Sequence, residues 1–284
     1  MASRQLPSPE IRCARPPRER GVALVAVLLL VAGLVAIATA VVALSVSQRR
    51  SAARMHEADV RREAIDGALR VALAEIAFGK ASGPFWHPRV PRTVVVAGKR
   101  IEILLERESG RIDLNTAEPR FIVAGLQAAG LKEAEARTGA ARIQDWIDED
   151  EKPTGRDGAE ADAYRRAGMA YGPRNGPFET VDEVRQVMGL AALSDEALDA
   201  FTVYSQQKEP FGAEAPEATR KALKLIGIES ALPDSMPNAT EAVSYAGSVI
   251  RLRGCEERVQ GACRVVVVRV TGSNRDPLET MRWQ

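Results

Sequence analysis

One long apolar run opens the ordered pattern of this chain, followed by a polar stretch of helical period and then short apolar strands split by a charged block. The 28 residues from Gly21 to Gln48 carry no charge and would extend about 42 Å as a helix at ~1.5 Å per residue. A bilayer's hydrocarbon core is roughly 30 Å thick, so the run predicts a membrane-crossing helix. No proline interrupts the passage into Arg49–Phe78, where Val60, Ala64, Leu69, Leu73 and Ile76 recur at about helical spacing. A single helix over 22–78 is predicted, its second half packed on a sheet. Strict heptads are absent, which disfavours an independent coiled coil.

Gly79 to Pro91 reads as turn. Thr93–Glu106 reads as a hairpin turning at Ala97-Gly98-Lys99. Residues 113–205 lack strand runs and predict short helices. One includes Phe121 to Ala129, with Asn115 or Thr116 near its start as cap and Gly130 closing it. Others are Leu131–Asp148, Thr180–Met188 and Leu193–Tyr204, with one more at Glu217–Ile226. Ser244–Arg253 and Ala262–Val270 predict a second antiparallel pair. The helical block is therefore an insertion between two pairs of strands.

Charge fixes the direction of insertion. Residues 1–20 hold five Arg against two Glu, a local charge of +3. Basic flanks stay cytoplasmic, which puts the N-terminus inside and the bulk of the chain outside. Two processing schemes follow. Cleavage after Ala40, at Ala38-Thr39-Ala40, would release a soluble protein, but Val41–Val46 continues the apolar run without a break. Cleavage after Gly21 would leave Val22 as the first residue and keep the span. Of the three cysteines, Cys13 lies in the leader, so an exported chain retains the pair Cys255 and Cys263. A hairpin disulfide suits an oxidising compartment, and two free thiols are the alternative. With only His56 and His87, a histidine-rich metal site is excluded. The overall formal charge of +1 gives no basis for nucleic-acid binding.

The densest chemistry lies in Asp145–Asp162, where eight carboxylates share a loop with Pro153, Gly155 and Gly158. From spacing alone two readings stand. A hard divalent cation would neutralise the repulsion, as Ca²⁺ does with six to eight oxygens. Alternatively the loop is solvated, with Arg156, Arg165 and Arg166 as partners. The spacing is not that of an EF-hand.

Arg20-Gly21-Val22-Ala23-Leu24-Val25-Ala26 resembles the prepilin leader of type IV pilins and type II secretion pseudopilins. Asp113-Leu114-Asn115-x-Ala117, Asp145-Trp146-Ile147-Asp148-x-Asp150, Gly158-Ala159-Glu160, Tyr164, Asn175-x-Pro177-Phe178, Val181-Asp182-Glu183-Val184-Arg185 and Val187-x-Gly189 together resemble the minor pseudopilin K family of type II secretion systems. The likeness covers most of 20–205. It implies an α+β pseudopilin fold: a long N-terminal transmembrane helix on a small antiparallel sheet, with a large inserted all-α domain. The implied division is leader 1–21, membrane span 22–48, first part of the pilin core 49–112, inserted domain 113–208 and second part of the core 209–284.

The resemblance further implies cleavage by prepilin peptidase between Gly21 and Val22, and residence in the inner membrane with the C-terminal domain periplasmic. It implies a structural role, without enzymatic activity, at the tip of the pseudopilus with minor pseudopilins I and J. Ala26 stands where most pilins carry Glu at the fifth mature position, a departure this family shares and one that suits a first subunit. Calcium binding is implied in the inserted domain, carried here onto Asp148, Glu151, Glu160 and Asp162, then Asp150 and Asp157. Trp146 and Phe178 read as core anchors and Asn175 as a turn residue.

The residues bear on two other functions. Asp113-Leu114-Asn115-Thr116-Ala117 with Gly130, and Phe178 with Gly189, are similar to helix-hairpin-helix modules of periplasmic DNA-uptake proteins. The turns Ala129-Gly130-Leu131 and Met188-Gly189-Leu190 lack the second Gly, and the acidic surroundings repel phosphate. An enzyme would use the clustered carboxylates for acid–base work, but no nucleophile–base pair or nucleotide loop accompanies them.

Overall fold

The computed structural model describes residues 20–78, 88–228, 245–259, 261–273 and 275–284. The leader residues 1–19, with Cys13, lie outside the described residues. So do most of the turn segment, with His87, and residues 229–244.

Helix α1 runs Arg20–Phe78 as one element and passes Ala38–Ala40 without interruption. It is long and apolar enough to cross a membrane. From Ala23 to Asp59 every residue is exposed. Beyond Val60 the helix changes character. Ile65, Ala68, Leu69, Ala72, Leu73 and Ile76 are buried, spaced at i, i+3, i+4, i+7, i+8 and i+11, which is one face of an α-helix.

That face meets an antiparallel sheet of β1 (Arg92–Val96), β2 (Lys99–Arg107), β5 (Val249–Glu256), β6 (Cys263–Val270) and β7 (Leu278–Trp283), in the order β1-β2-β5-β6-β7. Ile101, Ile103, Leu105, Ile250, Leu252, Val266, Val268 and Val270 alternate inward and complete this core. Gly254 lets the helix approach, since a Cβ there would lie 3.1 Å from Ile65 and 3.2 Å from Leu69. The β1–β2 turn is made by Ala97 (φ 50°) and Gly98 (φ 74°), the left-handed pair that matches strand twist in a two-residue hairpin. Cys255 and Cys263 pair across β5 and β6 with their sulfurs 2.07 Å apart. β7 was not expected from the sequence.

Between β2 and β5 sits a second core. It is built from α2 (Pro119–Ala128), α3 (Glu133–Ile147), α4 (Ala161–Arg166), α5 (Asp195–Leu198) and α6 (Glu217–Leu225). The expectation of an all-α insertion needs correction. Strands β3 (Ile112–Asp113) and β4 (Phe201–Thr202) pair in parallel within the block. Thr180–Met188 is a 3-10 turn over Val181–Gln186, and Leu193–Tyr204 is helical only over Asp195–Leu198. Val181, Val184 and Val187 are buried at a spacing of three, which falls on one side of a helix with three residues per turn. Ala215, Ala222 and Leu223 join this core, so the block continues past residue 208.

Asn115 does not cap α2. Its amide accepts from Phe178 N (2.8 Å) and donates to Phe178 O (3.0 Å). The Asp113 carboxylate accepts from Asn115 N, Ser205 Oγ and Gln206 N, tying the entry of the block to its exit. Helix α2 begins at Pro119, whose fixed φ suits the first turn. Asn175 adopts φ 53°, in keeping with a turn residue.

Candidate metal centre

The acidic loop starts where α3 ends. Trp146, in the last turn, is buried and stacks on Phe178 with ring centroids 6.0 Å apart and planes 8° from parallel. One residue earlier, Asp145 is fully buried. Its carboxylate accepts from the backbone N–H of Thr154 at 2.7 Å and from that of Ala159. Two donors, nine and fourteen residues down the chain, are thus gathered by one side chain, and the loop folds back onto the helix end. Gly158 is required there, because a Cβ would fall on the Asp145 carboxylate and the Thr154 backbone. Asp145 was not among the expected ligands; its signal in the sequence is its position before an anchoring Trp.

The fold-back brings Asp148, Asp150 and Glu160 together, with one oxygen of each within 4.8 Å of the others. Both Glu160 oxygens and Asp148 Oδ1 are buried and have no hydrogen-bond partner. Burial, then the charges of Asp145, Asp148, Asp150 and Glu151, push the Glu160 carboxyl up to about 7. Asp148 is raised by burial and by Asp145 and Asp150. The C-terminal end of α3 adds its own partial negative charge. A buried, unpartnered carboxylate beside two more is costly unless a cation completes it. An all-oxygen donor set of this kind fits a hard divalent ion, with further oxygens needed to fill the shell.

The other expected ligands stand apart. Asp162 pairs with Arg165 on the surface of α4. Glu151 and Asp157 are exposed, and Arg142 Nε donates to the Asp157 carbonyl at 3.3 Å. Of six expected residues, the structure gathers Asp148, Asp150 and Glu160.

Residues 113–204, which hold this loop and most of the second core, match the family described as type II secretion system (T2SS), protein K. Within this chain, the match to that family spans this block. That family is a structural component of secretion, not an enzyme. The fold is similar to a chain in the crystal structure of the GspK-GspI-GspJ complex from the enterotoxigenic Escherichia coli type 2 secretion system. The TM-score is 0.55 at 13% identity, over 84% of this chain and 98% of that one. No curated protein matches. The fold comprises an apolar N-terminal helix, an antiparallel sheet and, between β2 and β5 in chain order, the block that matches protein K.

Proposed function

We propose that this chain is the tip subunit of a type II secretion pseudopilus, assembling with minor pseudopilins I and J to start the filament. The observation that carries the reading is the protein K block of 113–204 set between two strands of a pilin-like sheet. So large an insertion is hard to accommodate among closely packed subunits inside a filament, whereas an end position leaves it free. The uncharged stretch around Ala26 fits a subunit with no neighbour ahead, since a lone carboxylate in lipid costs roughly 2.5–3.5 kcal/mol. Processing by prepilin peptidase between Gly21 and Val22 leaves the span in place as an inner-membrane anchor with the remaining chain periplasmic. In that oxidising compartment Cys255 and Cys263 form a disulfide.

Calcium is the ion assigned to Asp148, Asp150 and Glu160. When bound it supplies positive charge that fixes the acidic loop, and the chain's own residues do the rest. Asp145 holds the loop ends, and Trp146 and Phe178 hold the loop to the core.

The test is co-expression of the full chain with minor pseudopilins I and J and the peptidase. A mature N-terminus at Val22 and a stoichiometric ternary complex are expected. A mature N-terminus at Val41, or a chain that associates with neither partner, would overturn the proposal.

A further inference from the structure

The exposed part of α1 carries a groove of about 490 Å³ lined by Ala43, Val46, Ser47, Arg50, Ser51 and Arg54. Its composition changes along the axis. Ala43 and Val46 close the apolar run, while Ser47, Arg50, Ser51 and Arg54 supply hydroxyls and guanidinium groups over the next two turns. Arg50 and Arg54 are four residues apart and so share one face. Ser47 and Ser51 repeat that spacing beside them.

Among the described residues these donors have no internal work. The Thr39 and Ser45 hydroxyls donate to the helix carbonyls of Ala36 and Val41. Ser47 and Ser51 make no such bond among the described residues, and Arg50 and Arg54 have no ion pair there. The first acidic residue after the apolar run is Glu57.

We infer that this groove is a binding site for the phosphodiester headgroup of an anionic phospholipid. The inference rests on the reading of α1 as a membrane anchor. Three features converge on that ligand. The groove begins where the apolar run stops, so its apolar end meets acyl chain while its polar end lies at headgroup depth. Side chains on a helix lean toward its N-terminus, which aims Arg50 and Arg54 back at the bilayer. A guanidinium pair with two hydroxyls offers charge and forked donors matched to phosphate oxygens. Arg49 is exposed and adjacent in sequence but does not line the groove, so it provides the same charge without the site.

The experiment places the full chain in nanodiscs of phosphatidylcholine containing a minor share of phosphatidylglycerol. Lipid retained per chain after detergent exchange is then counted by mass spectrometry. Phosphatidylglycerol should be enriched, with about fivefold of that preference lost per groove arginine. Arg50→Gln with Arg54→Gln should abolish the enrichment, and Arg49→Gln with Arg62→Gln, matched in charge, should keep it. Equal loss in both pairs would mean diffuse attraction and would overturn the site. So would equal retention of the two lipids, or displacement by excess inorganic phosphate, which would reassign the groove to a free anion. A carboxylate-bearing partner helix that takes the groove would show as lipid loss only when that protein is present, and would overturn the lipid assignment. A chain that enters no nanodisc would overturn this inference and the membrane-anchor reading together, an outcome distinct from insertion without selectivity.

Discussion

Glu160 is held in the least comfortable position of any carboxylate in the acidic loop. Its carboxyl titrates near 7 instead of 4.5, because burial and four neighbouring acids all favour the protonated form. The sign of the consequence follows from proton binding. Above pH 4.5 the unfolded chain has released this proton while the folded one retains it, so ion-free stability should fall as pH rises from about 4.5 to 7 and then level off. A cation needs the ionised form, so calcium affinity should climb over the same window. Thermal unfolding with and without chelator, from pH 5 to 8, checks both slopes. Glu160→Gln should flatten the ion-free slope and abolish most of the stabilisation by calcium, which would be about 2.7 kcal/mol at ~100 times Kd. Stabilisation unchanged in the variant would remove Glu160 from the shell. The sequence displays eight carboxylates here, yet which of them converge is decided by Asp145 reaching Thr154 and Ala159. Spacing along the loop carries no trace of that fold-back, which is why Glu151 and Asp162 looked as suitable as Asp148, and Asp157 as suitable as Asp150.

Among elements, those whose order is local were readable and those fixed by distant contacts were not. Helix α1 shows its period in every turn, and the β1–β2 hairpin shows alternation on both sides of Ala97-Gly98. Val181, Val184 and Val187 also suit one face of an α-helix, so the tighter 3-10 winding was hidden. Strand β4 is two residues long and exists because Ile112 pairs with Phe201. Strand β7 is broken by an irregularity opposite Val267/Val268 and shows no clean alternation. The Asn115 clamp is one such distant contact, and it makes a sharp prediction. Asn115→Ala would orphan the Phe178 N–H and C=O and free the segment that carries the ring stacked on Trp146. A loss of about 1–3 kcal/mol is expected in urea unfolding. On the sheet, Cys255→Ser should cost roughly 2–3 kcal/mol in oxidising buffer and nothing in reducing buffer. Equal midpoints in both conditions would show that the bond does not form.

At the scale of the molecule, residues 61–284 form one compact unit with two apolar cores, joined by a buried network of charge. Arg111, with no exposure, donates to Glu106 at 2.6 Å and to the Asp199 carboxylate at 3.1 Å. Arg251 donates to buried Glu108 at 2.6 Å, and Arg253 reaches Asp199 at 3.1 Å. Burial pushes Glu108 and Asp199 up, but the arginines outweigh it and hold both carboxyls below their ordinary range. Arg111→Met would leave these acids short of a partner, and breaking a buried network of this sort costs about 3–5 kcal/mol. The loop is anchored through Trp146, Phe178 and Asp145 to the core of the inserted block, while the helix–sheet core is closed by its own residues. Removing calcium should therefore loosen 145–190 and leave β2, β5 and β6 intact. Hydrogen exchange of the full chain in detergent reads this directly. Chelation should speed exchange in the loop and in Val181–Gln186, with amides of the three strands unchanged. Uniform acceleration would mean that the two cores unfold together, and unchanged protection everywhere would mean that no ion holds the loop.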